Sequence, residues 1–95
     1  MTTNDIKVIC KDAILANGWQ RQAVVALEEM SEAQKELCKL MRGQGDTEHL
    51  AEEIADVTIM LEQMEIAFGL HESVRVWLDR KAERLAYRLK SGNNL

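Results

Sequence analysis

A chain of 95 residues, 46% hydrophobic and 29% charged, has material for one small core, and a two-domain enzyme is excluded at this length. Twelve Lys and Arg against sixteen Asp and Glu leave a net charge of −4, so neither nucleic acid nor an anionic membrane is expected as a partner. No run of about 18 apolar residues is present to cross a bilayer. Met1-Thr2-Thr3-Asn4-Asp5 lacks the basic and apolar regions of a signal peptide, which makes the cytoplasm the expected location.

Proline is absent and glycine is confined to positions 18, 43, 45, 69 and 92, which leaves four segments without a helix breaker inside them. Ala, Leu, Met, Glu, Gln, Lys and Arg fill these segments, and β-branched residues never alternate strictly with polar ones, so the expected fold is all-α. The first helix is expected at 4–16 and ends at Asn17-Gly18. Cys10, within it, and Cys38 belong to no CxxC pair and have no His at ligand spacing, so both read as reduced packing residues. The second helix is expected at 20–42 and is closed by Gly43-Gln44-Gly45. Asp46 or Thr47 caps a third at 47–68. Phe68-Gly69-Leu70 has the pattern of a left-handed helix end, a fourth helix follows at 71–90, and Ser91 to Leu95 reads as a frayed tail.

On the third helix Leu50, Ile54, Leu61 and Phe68 form one apolar stripe, while Ile59 and Ile66 lie on another arc. Such surface exceeds what one small protomer can cover. The expected architecture is therefore a four-helix protomer whose bundle is completed by oligomerisation, as a homodimer or homotetramer.

Charge is segregated along the chain. Residues 28 to 65 hold eleven of the sixteen acids with only Lys35, Lys39 and Arg42 as bases, whereas residues 75 to 90 hold six bases against Asp79 and Glu83. At about 100° per residue, Glu28 falls on a solvated arc with Arg21, Lys35 and Lys39. Glu29, Glu32 and Glu36 instead share a sector with Gln22, Val25, Ala33 and Leu40. On the third helix Glu53 and Asp56 lie in the sector of Met60, Met64 and Ala67, with His49 one turn before Glu53. Carboxylates gathered on facing sides of two helices repel one another unless a cation neutralises them. Oxygen donors without Cys suit Mg²⁺, with Mn²⁺ as a substitute.

Glu29-Met30-Ser31-Glu32, followed after twenty residues by Glu53-Ile54-Ala55-Asp56, resembles the ExxE and ExxD signature of the all-α nucleotide pyrophosphohydrolases. The short MazG-like enzymes are the nearest in pattern, with dimeric dUTPases and phosphoribosyl-ATP pyrophosphohydrolases as relatives. The resemblance covers residues 20 to 90. It implies that Glu29, Glu32, Glu53 and Asp56 hold Mg²⁺ and that a nucleoside triphosphate is cleaved by water to the monophosphate and pyrophosphate. It further implies catalytic roles for Glu32, as the base, and Lys81, with Lys81, Arg84 and Arg88 contacting the phosphates. Gln22 and Trp19 are candidates to line a base pocket, and His49 reads as lying behind the ligands or on the surface.

A di-iron or di-manganese bundle would need Glu-x-x-His, which the chain lacks; Asp46-Thr47-Glu48-His49 is the nearest pattern. The remaining alternative is a non-enzymatic helical oligomerisation or regulatory module whose acids are only surface charge.

Overall fold

The computed structural model describes residues 1–92, and the last part of the expected frayed tail lies outside them. The described residues form four α-helices and no strand: α1 (Thr3–Asn17), α2 (Trp19–Met41), α3 (Thr47–Phe68) and α4 (His71–Lys90). No helix among them is long and apolar enough to cross a membrane.

Each boundary has a local cause. Thr2 caps α1 through a reciprocal pair: its hydroxyl accepts from the Asp5 N–H at 3.1 Å and its own N–H donates to Asp5 Oδ2 at 2.8 Å. This holds the start of α1 one residue earlier than expected. Gly18, at φ 82°, ends α1 by donating its N–H to the Ile14 carbonyl and precedes Trp19, the first residue of α2. One residue thus joins two helices, a turn open to glycine because a Cβ disfavours that φ. The Asp46 carboxylate accepts from the His49 N–H at 3.0 Å and caps α3. Gly69, left-handed at φ 64°, closes α3, with the Leu70 N–H donating to the Glu65 carbonyl at 2.9 Å.

The central layer is α2 against α3, with α1 packed across both and more closely on α3. The Trp19 and Phe68 rings meet edge to face with centroids 5.1 Å apart, which sets the start of α2 beside the end of α3. Cys10, Ala26 and Met60 are buried between the three helices, together with Gln22 and Gln63. The two amides survive there because they are bonded: Gln22 Nε2 donates to Gln63 Oε1 at 2.7 Å, and Asn17 Nδ2 donates to Gln22 Oε1 at 3.1 Å. Burial, with the nearby Glu62 carboxylate adding to it, raises the Cys10 thiol above its usual pKa. Cys38 corrects the expectation that both cysteines pack inside: it is exposed, near the end of α2, and both thiols are free.

The face of α3 turned to the core is that of Met60 and Gln63. The stripe of Ile54, Leu61 and Phe68 is about half exposed, and so are Val24 and Leu27 on α2. α4 lies close to α3 alone and contains no buried residue. Val76, Trp77, Leu78, Leu85, Tyr87 and Leu89 are all at least half exposed. The radius of gyration is 16.0 Å, where a compact chain of this length has about 12 Å. Three helices make a core, and the fourth extends from it.

Candidate functional site

α2 and α3 each offer carboxylates to their shared side. On α2 the turn from Gln22 to Ala26 is drawn into the core, and Glu29, one turn further along the same side, is left partly buried. On α3 the residues in register with Met60 and Gln63 include Glu53 and Asp56, also partly buried. The geometry follows from the 3.6-residue period. Glu29, Glu53 and Asp56 each present a carboxylate oxygen within 4.8 Å of the others. Glu53 Oε2 is shielded from solvent and has no hydrogen-bond partner.

The electrostatics follow from this crowding. Burial, then the Asp56 carboxylate beside it, raise the pKa of Glu29 above the ordinary carboxylate value, with Glu53 and Glu32 adding to it. Burial, then Asp56, Glu32, Glu52 and Glu36, raise Glu53 in the same way. Among the described residues no Lys or Arg pairs with Glu29, Glu53 or Asp56.

The sequence-derived site is brought together in part. Glu29, Glu53 and Asp56 converge. Glu32, one turn further along α2, is exposed and stands outside the tight trio while still contributing to its field. His49 is on the surface, with Nε2 3.6 Å from Asp46 Oδ2. Gln22 faces the core with its amide engaged on both sides, and Trp19 packs on Phe68. Lys81, Arg84 and Arg88 lie on α4, which approaches α3 alone and extends from the three-helix core. None of the three makes an ion pair among the described residues. Lys81 Nζ and Arg80 Cζ lie 6.0 and 5.2 Å from the centre of the Trp77 ring. The α4 cations therefore stand apart from the carboxylates within one protomer.

Two features went unassigned in the sequence. Glu36 adds to the field on Glu53 while its own carboxylate meets Lys39 Nζ at 3.4 Å. A second group, Glu62, Glu65 and His71, gathers where α4 leaves α3. Its signal was the Glu62 and Glu65 pair one turn apart, with His71 just past the glycine turn.

Compared with known proteins, the chain matches no family model, no curated protein and no solved structure. The class defined by fold and site together is an all-α chain with a crowded, uncompensated carboxylate cluster between two helices.

Proposed function

We propose that the protein is a Mg²⁺-dependent nucleoside triphosphate pyrophosphohydrolase, acting on NTP or dNTP. The observation that carries this is the trio of Glu29, Glu53 and Asp56 within 4.8 Å, with Glu53 Oε2 buried and unpartnered. Hard oxygen donors, raised pKa values and a lone-pair site without a hydrogen bond fit a small divalent cation. The ion supplies positive charge that offsets the triphosphate and acidifies water. Glu29, Glu53 and Asp56 hold it, as the double ExxE and ExxD pattern suggests, with Glu32 at their edge.

Exposed Glu32 is the base, accepting the proton of the attacking water. The water oxygen adds at the α–β anhydride, the bond to the bridging oxygen breaks, and nucleoside monophosphate and pyrophosphate leave. Lys81, Arg84 and Arg88 are the phosphate contacts. In one protomer they stand away from the carboxylates, so the same proposal includes a homodimer or homotetramer. In it α4 of one copy lies along α2 and α3 of another, opposing basic to acidic surface and covering the half-exposed stripe of Ile54, Leu61 and Phe68.

The test is pyrophosphate release from canonical and modified NTPs and dNTPs with Mg²⁺, beside Glu53→Gln and Asp56→Asn. Release that depends on metal and is abolished in both folded variants is the expected result. That α4 contains no buried residue and lies close to α3 alone also favours an oligomerisation or regulatory module. No release, in a protein that Mg²⁺ does not stabilise against heat, would make that reading replace the hydrolase.

A further inference from the structure

We infer that Glu65 is the positioning residue that sets the direction of α4 relative to the three-helix core. Its importance for catalysis rests on the proposed hydrolase, because α4 carries Lys81, Arg84 and Arg88; its mechanical role does not.

Glu65 holds the α3–α4 junction through both of its ends. Its backbone carbonyl accepts the Leu70 N–H at 2.9 Å, fixing the left-handed Gly69 turn. Its carboxylate reaches past the turn and accepts two hydrogen bonds from Arg75 Nη2, at 3.0 Å to Oε1 and 3.1 Å to Oε2. His71 Nδ1 lies 3.3 Å from Oε1. The clamp therefore grips Arg75, and His71, one turn before it on α4, stands beside the same carboxylate oxygen. The Glu65 side chain is only 14% exposed, against 52% for Arg75 and 51% for His71, so the anchor is the sheltered member.

No other ion pair or side-chain hydrogen bond among the described residues joins α4 to the core. The helix has no buried residue and its backbone approaches only α3. Apolar packing would ordinarily set the angle between two helices. Here Val74 is the one apolar side chain of α4 that is even partly covered, so the hairpin is left to the turn, that contact and this one carboxylate. Because α4 runs twenty residues, about 30 Å, a small rotation at Glu65 is amplified at Arg84 and Arg88.

Native Cys38 is exposed on α2 and Cys10 is fully buried, so a spin label placed on Cys38 and a second on Glu83→Cys would report the α2–α4 distance. Labelled chains are diluted into unlabelled protein so that only distances within one chain are read. A narrow distribution in the parent that broadens or shifts in Glu65→Gln and in Arg75→Gln is expected. Arg75→Gln alters the exposed end and guards against a folding failure of the first variant. The exchange Glu65→Arg with Arg75→Glu should restore the parent distribution. A broad parent distribution, or one that neither single variant changes, overturns the inference. These outcomes are independent of turnover: a distance change without pyrophosphate release in the parent would sink the hydrolase and leave the clamp. If release occurs, Glu65→Gln should raise KM for the triphosphate several-fold more than it lowers kcat, and the exchange variant should recover it.

Discussion

Gln63→Leu should be among the most damaging conservative changes in the core. The substitution keeps the volume but removes the acceptor at 2.7 Å from Gln22 Nε2, leaving that amide at a position only 7% exposed. An orphaned buried donor costs about 1–3 kcal/mol. For a domain of this size each kcal/mol lowers Tm by roughly 4–8 °C. The double variant Gln22→Leu, Gln63→Leu removes both partners at once, and the exposed Asn17 amide turns to water. It should lie near the parent, so that the two changes together destabilise by about 1–3 kcal/mol less than their sum. Thermal and urea unfolding followed by circular dichroism measure all four corners of the cycle. A Gln63→Leu protein as stable as the parent, or a double variant as unstable as the sum of the singles, would refute the claim that this pair is a coupled core element.

Further expectations follow from the cluster, the turn and the exposed faces. Glu29 and Glu53 have folded pKa values above their unfolded ones, so their contribution favours the fold when they are protonated and is lost as pH rises through the raised values. Metal-free protein should thus gain stability as pH falls from neutral toward the carboxylate range, and Glu53→Gln should flatten that gain in a pH series of melts. Asp5 and Asp46 act oppositely: hydrogen bonds from Thr2 and from the His49 N–H lower their pKa values, so stability should fall again once pH drops below about 3.8. Gly69→Ala forces a Cβ into the left-handed region at φ 64° and should cost about 1 kcal/mol in urea melts. Leu78→Glu with Leu85→Glu on α4 should convert an oligomer to monomer by light scattering without unfolding it, since both side chains are at least half exposed in the protomer.

The four helices were legible because glycine alone interrupts the chain; the expected 47–68 and 71–90 coincide with α3 and α4. The convergence of Glu29, Glu53 and Asp56 was legible for a similar reason, since helical period fixes which residues share a side. Period does not fix which side meets a neighbour. Period marks Leu50, Ile54, Leu61 and Phe68 as one apolar stripe, but it does not say that the α3 side turned to the core within the protomer is that of Met60 and Gln63. Gln22 looked available to a ligand because its partner stands 41 residues away, a tertiary pairing with no local trace. Cys38 was misplaced because the period of α2 does not say which of its sides meets a neighbour. The direction of α4 was the least legible, because it depends on a clamp across a turn and on no periodic contact.

A helix without buried residues should also differ from the rest of the molecule in time as well as in space. Amide hydrogens of α2 and α3 near Ala26 and Met60 are released only when the core opens as a whole, whereas those of α4 can exchange through local opening. Exchange rates along the chain should therefore step upward at Gly69. If copies of the chain associate through α4, that step should shrink as protein concentration rises, making the fourth helix a gauge of assembly that needs no label.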